Sequence, residues 1–142
     1  RVYPTYLVQQ LGFTPEKFFA RTFFTYSHDE AIRAVASGVA DGAAVDSLVY
    51  EYVVARDPSL AEKVKVIHRS PDFGIPPVVV SPFTRPQVKE ELQTLFLEMA
   101  NDPTARDALA SIGVEQFVLI DDNAYDSVRA LMSILPTSAV QP

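Results

Sequence analysis

The chain of 142 residues has no cysteine and no tryptophan, two histidines and five glycines. Without cysteine there is no disulfide, no thiolate metal site and no sulfur nucleophile. The two histidines, His28 and His68, share no metal-ligand spacing. The glycines build no phosphate-cradling loop, and no G-x-S-x-G elbow occurs. No apolar run approaches the length of a membrane span. Cations are scarce as well. Twelve Lys and Arg stand against 18 Asp and Glu, and the net charge of −6 disfavours nucleic acid and anionic membrane as partners. No nucleophile, base and orienting acid come together, so an enzyme is not expected and no metal or cofactor is called for.

What is present is enough apolar residue, 48%, to bury the core of one ordinary globular domain. Residues 22–52 organise the rest. Thr22-Phe23-Phe24-Thr25-Tyr26 is β-branched and aromatic and predicts a buried strand. Ser27 with Glu30 three residues later has capping-box spacing. Ala31, Ile32, Val35 and Ala36 then share one helical face, and Gly38 stands where the helix would stop. A second apolar strand, Ala43-Ala44-Val45, ends in Asp46-Ser47 before another helical run. Strand, capped helix, strand, helix is a parallel βαβ unit, in which ligands bind beyond the carboxyl ends of the strands.

Elsewhere, residues 4–11 read as a helix with Tyr6, Leu7, Gln10 and Leu11 on its apolar face. Thr14 and Pro15 start another helix, and Phe13, Phe18 and Phe19 are expected in the core. Helices are predicted over residues 48–55, 60–63, 87–100, 103–112 and 125–135, the last ended by Pro136 before a frayed tail, 137–142. Asp102 should cap the helix that Gly113 stops. Strands are expected at 64–68, 78–81 and 117–120, with a proline-rich loop at 70–77.

The start of the helix after Ser27 is the best candidate for a site. Free N–H groups and the helix dipole there favour an anion. Ser27 adds a hydroxyl, and His28 a ring donor, neutral or charged. The commoner outcome of this pattern is a plain cap beside a surface histidine. Asp46 presents the same choice between a cap and a carboxylate that accepts from a protonated ligand oxygen. His68 is isolated at a strand end, and Asp121-Asp122 reads as a loop and a cap.

Taken together, Val2-Tyr3-Pro4, Tyr26-Ser27-His28-Asp29-Glu30-Ala31, Ala40-Asp41-Gly42-Ala43-Ala44-Val45-Asp46, the stretch 70–80, and Asp121-Asp122-Asn123-Ala124-Tyr125-Asp126-Ser127-Val128-Arg129 resemble one family. They look like the C-terminal half of the phosphate/phosphite/phosphonate-binding periplasmic proteins of ABC transporters, a branch of the type II periplasmic binding proteins. The resemblance implies an α/β fold: a three-layer αβα lobe, with C-terminal helices that belong to the other lobe. Residues 1–74 would form the second ligand-binding lobe, 75–84 a hinge strand, and 85–142 a helical return to the first lobe.

The resemblance further implies a small oxyanion ligand, phosphate, phosphite or a phosphonate, and a membrane permease as partner. Ser27 and His28 match the family's Ser-His pair, and Asp46 falls, more loosely, in a segment that lines its cleft. The location implied is periplasmic or extracytoplasmic, with a lipid anchor where the host lacks an outer membrane. The chain opens at Arg1-Val2-Tyr3-Pro4 as if inside a fold, and a fragment is expected. The family's serine/threonine anion-binding motif and most of its first lobe are not in it, so Phe96, Phe117 and the last helix would need other cover, such as a homodimer partner. Two rival readings use related modules: the extracytoplasmic sensor of a receptor such as a histidine kinase, and a small enzyme of the related type II fold. The first would need a membrane span beyond Pro142, the second a catalytic cluster.

Overall fold

A computed structural model describes residues 2–135. It divides into two compact units, one made of the chain up to Asp72 together with the stretch from Ser127, the other of Phe73–Asp126.

In the first unit, α1 (Val2–Gln10) and the single turn α2 (Pro15–Phe18) precede α3 (His28–Ala36), α4 (Ser47–Arg56) and α5 (Ser59–Lys63). Ser27 caps α3 and Asp46 caps α4, and Gly38 follows α3 at φ +77°, a left-handed backbone that suits glycine. Of the apolar stripe expected on α3, Ile32 and Ala36 join the core. Ile32, 3% exposed, meets Val53 of α4 and Leu60 of α5, and Ala36, Val45, Val49, Tyr50, Tyr52 and Val64 pack around them. Removing three branched side chains from water at about 1.5–3 kcal/mol each is what holds α3, α4 and α5 together.

Two expectations in this unit change. Helix α1 buries Thr5 and Val8, while Leu11 is 62% exposed, so its inner face is turned from the one inferred. The helix begins at Val2 instead of Pro4, and the Thr5/Val8 pair, three residues apart, forms the contact stripe. The three phenylalanines are not core residues either. Phe13, Phe18 and Phe19 are 40–49% exposed, because α2 is too short to carry them inward. They pack on one another, Phe18 edge-on to Phe19 at 5.0 Å and tilted against Phe13 at 5.7 Å.

The second unit is built on α6 (Pro86–Glu98), a 3₁₀ turn (Met99–Asn101) and α7 (Pro103–Ser111), followed by a 3₁₀ turn at Asp122–Tyr125. Asp102 Oδ1 accepts from the Thr104 and Ala105 amides at 2.7 and 3.4 Å, the cap foreseen for α7. Leu109 of α7 is 1% exposed and centres this unit. Phe96 and Phe117 meet edge to face at 4.9 Å, and each is half-buried. Gly74 lies where a side chain has no room. A Cβ there would sit 2.9 Å from the Ala124 carbonyl oxygen and 2.9 Å from the Tyr125 ring. That closeness lets the Tyr125 hydroxyl donate to the Ile75 carbonyl at 3.0 Å and tie the two ends of the unit. The last helix, α8 (Asp126–Ser133), follows directly and from Ser127 on belongs to the first unit. The expected stop at Pro136 and the tail 137–142 lie outside the described residues.

Among the described residues none of the expected strands forms a ladder, so the αβα layering is not seen. The segments 22–26, 43–45, 64–68, 78–81 and 117–120 run between helices without strand partners. Their residue types suit a sheet, yet Phe24, Ile67, Val79 and Leu119 are 53–88% exposed. A strand exists only through hydrogen bonds and side-chain pairs supplied by a neighbour, unlike a helix, which bonds to itself. The βαβ unit of the sequence is thus represented by its two helices and the irregular chain that joins them.

Candidate functional site

The starts of α3 and α4 meet. The chain enters α3 through a turn in which the Thr25 hydroxyl donates to the Ser27 carbonyl at 2.8 Å. Between them Tyr26 takes φ +57°, a left-handed conformation unusual for a side chain of this size, and its ring is 96% exposed. Ser27 then turns extended, and its Oγ accepts from the Glu30 amide at 3.5 Å. Because Oγ accepts there, the hydroxyl proton stays available to a ligand. The amides of His28 and Asp29 are in the first turn and have no carbonyl of their own helix to reach.

Asp46 lies 18 residues further on, yet its backbone N–H donates to Nδ1 of His28 at 3.3 Å. Its carboxylate Oδ1 accepts from the Leu48 and Val49 amides at 2.9 and 3.2 Å, capping α4. Oδ2 is the oxygen left for anything outside the helix. The three residues singled out in the sequence therefore occupy one neighbourhood, with Ser27 and His28 on one helix start and Asp46 on the other.

An Nδ1 that accepts from an amide carries no proton, so the remaining ring nitrogen, Nε2, bears the hydrogen of the neutral imidazole. The cluster thus offers a hydroxyl, an imidazole N–H and helix-start amides as donors, and one carboxylate oxygen as acceptor. Arg33 pairs with Asp57 at 3.9 Å and Arg69 with Glu51 at 3.8 Å. Asp29 and Glu30 add negative charge to the first turn of α3. Such a field disfavours a free dianion and tolerates a singly charged ligand that can also donate a hydrogen bond.

Other candidates have other duties. His68 Nε2 is 3.0 Å from the Tyr3 hydroxyl, with the two rings stacked at 5.7 Å. Asp121 Oδ1 accepts from the Asn123 amide at 3.0 Å and caps the 3₁₀ turn. The left-handed Tyr26 and the amide link from Asp46 to His28 escaped sequence reasoning. A threonine two residues before the cap serine was the one local signal for the turn.

Comparison with known proteins gives the class: a periplasmic substrate-binding protein of an ABC transporter. The family's sequence model, described as "ABC transporter, phosphonate, periplasmic substrate-binding protein", matches residues 1–125, and the chain belongs to that family. Membership implies the type II periplasmic binding fold, a small phosphonate-type ligand, a transporter partner and an extracytoplasmic location. Among the described residues, no helix is long and apolar enough to cross a membrane.

Proposed function

We propose that this chain serves a solute-binding protein that captures phosphate, phosphite or a phosphonate for an ABC importer, and that it binds its ligand without transforming it. The family match over residues 1–125 carries this reading. Ser27 and His28 act as hydrogen-bond donors to the anion, and Asp46, through Oδ2, as acceptor of the ligand's remaining proton. The contact that joins His28 to Asp46 supports placing all three around one ligand.

In the same proposal the segments rich in Val, Ile and Phe pair as the sheet of an α/β lobe in the complete protein. Residues 1–74 belong to one lobe, 75–84 to a crossover, and 85–142 to the return. Lobe closure on the ligand is then a population shift set by contacts to both lobes, and the closed form is what the permease meets. Calorimetric titration of the full-length protein with phosphate, phosphite and methylphosphonate tests this. Micromolar or tighter binding of one anion, weakened about tenfold or more in His28→Ala, is the expected result. No binding of any of the three would refute the oxyanion assignment.

A further inference from the structure

We infer that the backbone amide of Asp46 is a positioning group for His28, holding the imidazole as its neutral Nε2–H tautomer so that the residue meets the ligand as an uncharged donor. The inference rests on the oxyanion-site reading and adds to it the state in which His28 works. The two residues are 18 apart in sequence and begin different helices, so their contact is tertiary and not a by-product of either cap.

An imidazole on an exposed helix start can present either nitrogen, or both as donors. Here the choice is removed. Nδ1 accepts at 3.3 Å from an amide that has no acceptor in its own helix, because Asp46 is the N-cap of α4. The backbone N–H cannot turn round to become an acceptor, and so Nδ1 cannot keep this bond while carrying a proton. Nε2 then holds the ring's hydrogen, and the ring plane is tied to a capped helix. A donor fixed in tautomer and direction loses less freedom on binding than one that must select its form as the ligand arrives.

The contact also connects the two polar roles of Asp46. Its amide sets the donor on α3, while its carboxylate holds α4 through the Leu48 and Val49 amides. Losing the side chain should therefore leave the tautomer in place, and losing the amide hydrogen as well should not. Proline provides that second change. Asp46 sits at φ −67°, within the range that proline imposes, and proline has no N–H.

The test uses ring ¹⁵N shifts of His28 in the ligand-free full-length protein, and titration with methylphosphonate. Wild type and Asp46→Ala should both show Nδ1 without hydrogen. Asp46→Pro should show a mixture of tautomers, and it should hold methylphosphonate about three- to tenfold less well than Asp46→Ala, which lacks the same carboxylate, the range of one hydrogen bond. A hydrogen on Nδ1 in the wild type would overturn the inference, whatever the behaviour of the variants. So would an unchanged tautomer in a folded Asp46→Pro protein. Binding of methylphosphonate with Nδ1 protonated would overturn the inference while the oxyanion reading stands. The expected tautomer with no binding of methylphosphonate, phosphite or phosphate would overturn that reading, and the ligand-facing part of the inference with it.

Discussion

Asp46→Asn separates the structural use of this carboxylate from the proposed use in recognition. Asparagine is as good an N-cap as aspartate, and its side-chain oxygen can take the Leu48 and Val49 amides that Oδ1 now holds at 2.9 and 3.2 Å. What is lost in the fold is a charge at a helix start, worth about 0.3–1 kcal/mol. Recognition should suffer more. If Oδ2 accepts the proton of a monoprotonated oxyanion, that bond joins two charged groups and contributes about 1.5–3 kcal/mol. Its loss corresponds to a factor of about 10–150 in affinity. The amide NH₂ that replaces Oδ2 is a donor and suits a ligand with no proton to give. A phosphate monoester sheds its second proton at about pH 6, and inorganic phosphate somewhat higher, near neutral pH. Wild-type affinity should therefore fall as pH rises through that region, because the carboxylate meets a dianion. The variant should gain relative to wild type over the same change. Titration calorimetry with phosphate on both sides of the ligand's second ionisation, together with thermal unfolding of each protein, separates the two effects. Equal affinities for wild type and variant at both pH values would refute the acceptor role. A large loss of stability without any change in binding would show that the carboxylate is a cap and nothing more.

Two further substitutions probe the fold around and away from the site. In Gly74→Ala the new methyl group would meet the Ala124 carbonyl and the Tyr125 ring at 2.9 Å, and the backbone atom cannot rotate away. A loss of about 1–3 kcal/mol is expected by denaturant unfolding, and an unchanged midpoint would refute the closeness of these segments. Tyr26→Gly should leave stability equal or raise it by up to about 1 kcal/mol. The ring is 96% exposed and buries little, while the left-handed backbone is strained for tyrosine and free for glycine. A clear loss in thermal unfolding would mean that the ring supports the turn.

The features legible in the sequence are those whose hydrogen bonds are local. Ser27 with Glu30, Asp46 before Ser47, and Asp102 before Pro103 each predicted a helix start, and each side chain accepts from an amide two or three residues on. The stripe of α3 was legible for the same reason, since Ile32 and Ala36 are one turn apart. Features that depend on distant partners were not. Nothing in the string of letters says that the Asp46 amide reaches His28, or that Gly74 lies against Tyr125. The inner face of α1 is not legible either, because burial of Thr5 and Val8 is decided by what packs on them, while hydrophobicity favours Tyr6 and Leu7. The apolar segments have the residue types of strands, a property that becomes structure only when another strand supplies the bonds.

The candidate site spends part of its polar capacity on the fold, and that division shapes what it can bind. Ser27 accepts with its oxygen and keeps its proton; His28 accepts with Nδ1 and keeps the hydrogen of Nε2; Asp46 accepts with Oδ1 and keeps Oδ2. Each residue is thus anchored by one group and free at another. The free groups are two neutral donors beside one anionic acceptor. A neutral molecule would leave the helix-start amides poorly used, and a dianion would meet the Asp46 carboxylate and the acidic first turn of α3. A singly charged oxyanion with one hydroxyl satisfies every free group at once. Phosphonate and phosphite have such a form, and singly charged phosphate carries a second hydroxyl, so in the proposed role selectivity among them would come from how the fourth substituent on phosphorus, methyl, hydrogen or hydroxyl, is received by the groups that surround it.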